Sequence, residues 1–112
     1  MSRRLGDAAE ARAAAYLAAH GYQIVERNFR AKVGEIDIIA KDGDTVVFVE
    51  VRSRSSAAFG LPQETVGAAK RRKLQLTAQL YVQARGLDCP MRFDVIAEGP
   101  EGLEHIEDAF GG

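Results

Sequence analysis

The chain has 112 residues and a mass of 12.2 kDa; 46% of the residues are hydrophobic, 28% are charged, and the net charge is −1. That is the size and composition of one globular domain, read here as residues 1–112, and it excludes disordered, collagen-like and disulfide-scaffold chains. No stretch of ~20 nearly uncharged apolar residues is present, so a membrane span is excluded; the Ala-rich start carries Asp7, Glu10 and Arg12 and lacks the apolar region of a signal peptide.

In chain order, Leu5, Ala9, Ala13, Tyr16 and Leu17 recur at helical spacing, which predicts a helix over residues 3–19 that stops at Gly21. Residues 22–29 are rich in β-formers and predict a strand. Residues 34–40 alternate, with Ile36, Ile38 and Ala40 on one face. Asp42-Gly43 marks a hairpin, and residues 45–52 form its second arm. A Ser-rich loop over 53–62 leads to a second helix over 64–85, closed by Gly86. Residues 91–97 read as a fourth strand, 98–102 as a turn and 103–107 as a short fifth strand. The return from the third strand through a helix to the fourth predicts a crossover within one sheet. The single cysteine, Cys89, allows neither an internal disulfide nor a Cys-rich zinc site; it reads as a structural thiol, and the cytoplasm is the expected compartment.

Charge is unevenly placed. Residues 52–73 carry six basic side chains against Glu64 alone, and residues 98–108 carry five acids and no Lys or Arg. A phosphate-binding face is therefore open to a chain whose total charge gives no general attraction to nucleic acid.

A hairpin centred on Asp42-Gly43 pairs residues whose numbers sum to 85. Glu35 then faces Glu50, and Asp37 is a diagonal neighbour of Glu50, ~7 Å away. Glu35, Asp37, Glu50 and Arg52 share one face, and Ile36, Ile38, Val49 and Val51 the other. Clustered carboxylates need a cation, a proton or a basic side chain, and oxygen ligands on strands suit Mg²⁺ or Mn²⁺. An exposed polar face with Arg52 as counter-charge satisfies the same pattern. On the second helix, Val66, Ala69, Thr77, Leu80, Tyr81 and Ala84 define an apolar stripe that contains Lys70 and Lys73, while Arg71 and Arg72 point away. Lys70 either reaches the acids or snorkels to solvent. Glu10 borders the stripe of the first helix, where it either reaches over the sheet or lies on the surface.

Gly6-Asp7-Ala8-Ala9-Glu10, Gly21-Tyr22-Gln23-Ile24, Arg27-Asn28-Phe29-Arg30, Gly34-Glu35-Ile36-Asp37-Ile38-Ile39-Ala40 and Val47-Phe48-Val49-Glu50-Val51-Arg52-Ser53-Arg54 resemble the motifs of the YraN-type bacterial family. Phe59-Gly60, Val66, Lys70, Ala78, Tyr81 and Arg92-Phe93-Asp94-Val95-Ile96 continue the likeness over nearly the whole chain. That family is similar to the restriction-endonuclease-like fold and to archaeal Holliday-junction resolvases. The resemblance implies an α/β fold with a central mixed sheet of four to five strands flanked by helices, in the order α-β-β-β-α-β-β. It also implies Asp37 and Glu50 as metal-binding acids with the Val51 carbonyl, Glu10 as the helix acid, Glu35 as an extra acid, and Arg52 where the wider fold has lysine. Arg is a poor base, so Lys70 stands as the substitute.

The implied function is a Mg²⁺- or Mn²⁺-dependent nuclease acting on DNA, including branched DNA, with Arg54, Arg71 and Arg72 on the phosphate backbone and a homodimer as one assembly. The competing readings are a catalytically inactive nucleic-acid-binding or protein-interaction module of the same fold, and a structural partner in an assembly.

Overall fold

A computed structural model describes residues 3–53 and 66–110, with side chains from residue 8 onward. The expectations for Arg54 and for the loop beyond it lie outside the described residues. Helix α1 spans Arg3–Ala19; strands β1 (Gln23–Ala31), β2 (Gly34–Asp42) and β3 (Thr45–Ser53) follow; helix α2 spans Ala68–Arg85; strands β4 (Met91–Gly99) and β5 (Gly102–Ile106) end the order. The strands form one sheet in the order β1-β2-β3-β4-β5. Only β3 and β4 run parallel, and α2 is their crossover. This is the α/β architecture with a mixed five-stranded sheet that the sequence predicts. No helix of the described residues is long and apolar enough to cross a membrane.

Period-two alternation in β3 builds the core. Val46 and Phe48 point into a cluster with Ile36, Ile39, Leu74, Ala78, Tyr81 and Val95 beneath α2. Val47 and Val49 point the other way, into a cluster with Ala13, Leu17, Tyr22, Ile38, Ala40 and Ile96 beneath α1. The central strand is thus buried on both faces, as its near-continuous apolar run requires. Cys89 is half-buried against the α2 cluster, in keeping with a structural thiol.

Four expectations are corrected. The β2–β3 turn is Gly43-Asp44, with Asp42 opposite Thr45, so paired residue numbers sum to 87. Gly43 takes φ +62, and a two-residue loop places its positive-φ glycine first rather than second. Phe48 therefore faces Ile39, and the last pair, Ile38 with Val49, leaves Asp37 and Glu50 as the next residues beyond the ladder. Helix α2 begins at Ala68, because Gly67 is an extended N-cap and Val66 is folded into the core. Its buried stripe is Leu74, Thr77, Ala78 and Tyr81, while Leu80 is exposed.

The fourth correction concerns the faces of β2. Ile38 packs beneath α1 as expected with Val49 and Val51, but Ile36 packs beneath α2 beside Phe29. Phe29 and Ile36 are partners, as are Arg27 and Ile38, so the change of face falls at Asn28 and Asp37 between them. Asn28 is left-handed, at φ 58. Such a residue rotates the strand and breaks strict alternation.

Candidate functional site

The β2–β3 ladder ends at Ile38 and Val49. Just beyond it, the Asp37 carboxylate accepts a hydrogen bond from the Val51 amide at 2.9 Å, taking the place of a backbone acceptor. This fixes Asp37 beside Glu50, close enough for the two carboxyl groups to act on each other. Burial pushes the Asp37 carboxyl up to about 7, and the charges of Glu50 and Glu10 add to the effect while the Val51 amide opposes it. Near neutral pH Asp37 is therefore only partly ionised.

Glu50 is only 5% exposed and gathers the cations. Lys70 Nζ lies 2.7 Å from Glu50 Oε2, and Arg52 Nη1 lies 3.3 Å from the same oxygen. Lys70 precedes the buried Leu74 by four residues, so it stands on the sheet-facing side of α2 one turn nearer the N-terminus. Together Gly34, Glu35, Asp37, Glu50, Ala69, Lys70, Lys73 and Leu74 line an open cavity of about 430 Å³. Gly34 lets α2 approach β2 closely at its edge, since a Cβ there would lie 2.8 Å from Thr77 Oγ1.

The remaining acids turn elsewhere. Glu10 is buried at 4% exposure, and one of its oxygens accepts from Arg27 Nε at 3.0 Å and Asn28 Nδ2 at 2.9 Å. The left-handed Asn28 that switches the strand's face thus also delivers its amide to the helix acid. Glu35 lines the cavity, and its carboxylate is paired with Arg30 at 2.9 Å. Among the described residues, no three His, Cys, Asp or Glu side chains are grouped so as to hold one metal ion. The donor set that fits a divalent cation is the pair Asp37 and Glu50. Two carboxylates, with water and substrate phosphate completing the shell, are what Mg²⁺ ordinarily takes from a protein.

Of the basic residues expected on phosphate, Arg72 is exposed. Arg71 is half-buried, donates to the Val66 carbonyl at 2.9 Å and covers the Phe110 ring at 5.1 Å.

A second polar cluster has no counterpart in the sequence analysis. Asp94 on β4 is fully buried and accepts from Arg92 on both oxygens, from the Asp108 amide at 3.0 Å and from His105 Nε2 at 2.8 Å. Burial opposes ionisation, but these bonds outweigh it and hold the Asp94 carboxyl below its ordinary range. Arg92 Nη2 also reaches Tyr22 Oη at 2.6 Å. The same-face spacing of Arg92 and Asp94 was visible in the sequence; the other partners are remote in the chain.

Compared with known proteins, residues 9–97 match the group described as "Uncharacterised protein family UPF0102". A UPF0102 protein of Syntrophus aciditrophicus is 51% identical, over 96% of this chain and 88% of that protein. Another, of Moorella thermoacetica, is 50% identical over 96% of each. Both the family pattern and relatives of near-equal length thus agree with the YraN-type motifs, and the chain belongs to the UPF0102 family.

Proposed function

We propose that the chain is a divalent-metal-dependent nuclease acting on DNA, with Asp37 and Glu50 as its metal-binding acids. The observation that carries this reading is the half-buried Asp37 beside the buried Glu50, lining a cavity that also holds Lys70. A fold that sets two acids side by side, one of them raised by burial, gains most from an occupant that brings a double positive charge. When bound, Mg²⁺ or Mn²⁺ supplies a more acidic water and neutralises charge on the phosphate. Asp37 and Glu50 would hold it, with the Val51 carbonyl in reach of the same strand position. Lys70 would orient the water or the scissile phosphate, and Arg52 would stabilise charge as it develops. Glu10, clasped by Arg27 and Asn28, and Glu35, paired with Arg30, would shape the field around the pair. Arg71 and Arg72 would meet the DNA backbone.

One observation favours a second reading, a nucleic-acid-binding or interaction module without turnover. Lys70 and Arg52 both sit on one oxygen of Glu50, so the pair is partly neutralised from within. Cleavage of linear, flapped and four-way DNA with Mg²⁺ or Mn²⁺ separates the two. The nuclease reading expects cleavage that Asp37→Ala abolishes, that Lys70→Ala lowers ~100-fold and that Arg52→Lys retains. Salt-sensitive DNA binding without any cleavage would assign the second reading.

A further inference from the structure

The α2 face carries a second cavity, at the end of the sheet away from Asp37 and Glu50. Helix α2 stops at Arg85, where Gly86 caps it in a left-handed turn at φ 61, and the chain leaves through Leu87 to Pro90. On the opposite side, β1 shifts register between Ile24 and Glu26, which leaves Val25 as an extra residue. Between them lies a groove of about 660 Å³, within the ~300–1,000 Å³ typical of small-molecule sites. Its apolar lining includes Val25, Ile39, Val46, Leu87 and Pro90.

Tyr81 also lines this groove and is 2% exposed. Its ring is held edge-on by Phe29 and Phe48, and the Arg85 guanidinium covers one face at 4.1 Å. Its hydroxyl has no hydrogen-bond partner among the described residues. A buried phenol normally finds one, so the groove contains a donor awaiting an acceptor. The rim sets the charge of the occupant. The lining carries two cations, Lys41 and Arg85, and two anions, Asp44 and Asp88, and the Glu26 that pairs with Arg85 at 2.9 Å lies outside it. The rim therefore favours neither an anion nor a cation.

We infer that this groove is a binding site for a small uncharged organic molecule with an apolar, flat body and one hydrogen-bond acceptor directed at the Tyr81 hydroxyl. The site stands independently of the Asp37–Glu50 reading.

Cys89 lines the groove and is the sole cysteine of the chain, so disulfide capture by small thiol-bearing probes reads its occupancy. Four aryl probes of equal size are offered to the full chain under competing mercaptoethanol: an aryl ketone, the matching hydrocarbon, a carboxylate and an ammonium. Intact mass gives the captured fraction. The ketone should be captured about three- to tenfold more than the hydrocarbon, the range of one added hydrogen bond, and both charged probes less. Tyr81→Phe should erase the ketone's advantage and leave hydrocarbon capture unchanged. Val25→Arg, at an exposed rim position, should lower capture of ketone and hydrocarbon alike, and it keeps the test open if Tyr81→Phe does not fold. Equal capture of all four probes would show only a reactive thiol and overturn the inference. So would preference for a charged probe, or an unaltered ketone preference in Tyr81→Phe. Hydrocarbon capture equal to the ketone's would instead assign the groove to an apolar side chain of a protein partner, which also overturns it.

Discussion

Asp94, fully buried, and Asp37, half-buried, are two aspartates of one sheet with opposite fates. Asp94 receives two bonds from Arg92, one from His105 and one from the Asp108 amide, and its carboxyl is held below its ordinary range. Asp37 receives one amide bond and faces another acid, and its carboxyl rises to about 7. Burial alone therefore predicts neither outcome; what decides is whether donors or acids surround the group. Asp94 is a brace that ties β4 to β5 and the segment after it. Asp37 is held in a costly state, and costly electrostatics concentrate at functional sites.

The sharpest break of that contrast is Asp94→Ala. It leaves Arg92 and His105 without their buried partner and should cost about 3–5 kcal/mol in urea unfolding. The pH sign follows from the lowered carboxyl. The stabilisation by Asp94 is present above the ordinary aspartate range and is lost as pH falls through the folded value, so wild type should lose stability in acid and Asp94→Ala should lose less.

Asp37→Asn should act in reverse. Because the Asp37 carboxyl is raised, the folded state binds the extra proton, and its stabilisation is complete below about pH 4 and lost as pH rises to about 7. Thermal unfolding at pH 8 should show the variant more stable than wild type, on the order of 2 kcal/mol, with the difference vanishing near pH 4. Equal stability at both pH values would mean that Asp37 ionises freely.

A smaller effect tests the site's occupant. Millimolar Mg²⁺ or Mn²⁺ should raise the unfolding temperature at pH 8 by more than at pH 5, since a proton and a metal ion compete for the same acids. At a tenfold excess over Kd the gain is about 1.4 kcal/mol, falling with weaker binding. Asp37→Asn should reduce it, and Asp94→Ala, where folded, should not.

Much of the fold was legible because long apolar runs declare their period. Residues 45–52 read as a strand, and Gly86 as a helix stop. The candidate site was legible in its members and blurred in its geometry. Asp-Gly marks a hairpin without saying which of its residues opens the turn, and that one-position difference moved the pairing sum from 85 to 87 and set Asp37 and Glu50 just beyond the last pair. The departure of Ile36 from its expected face depends on a left-handed Asn28 in the adjacent strand, which no alternation within β2 reveals. The Asp94 cluster joins Tyr22, Arg92, His105 and Asp108, contacts that exist only once distant strands have met.

The parallel pairing of β3 with β4 also sets an order of events. The β1–β2–β3 meander closes through short turns, whereas β4 reaches β3 only after the chain from Ser53 to Met91 has looped back, and long loops close slowly and late. Asp37 and Glu50 thus meet early, inside a hairpin that lacks Lys70, and protonation of Asp37 relieves their repulsion most at that stage. Refolding followed by stopped-flow fluorescence of the tyrosines should be faster at pH 5 than at pH 8 in wild type and lose that dependence in Asp37→Asn, while Asp94→Ala should chiefly hasten unfolding. The two aspartates would then govern opposite directions of the same transition, one the entry into the native state and the other the exit from it.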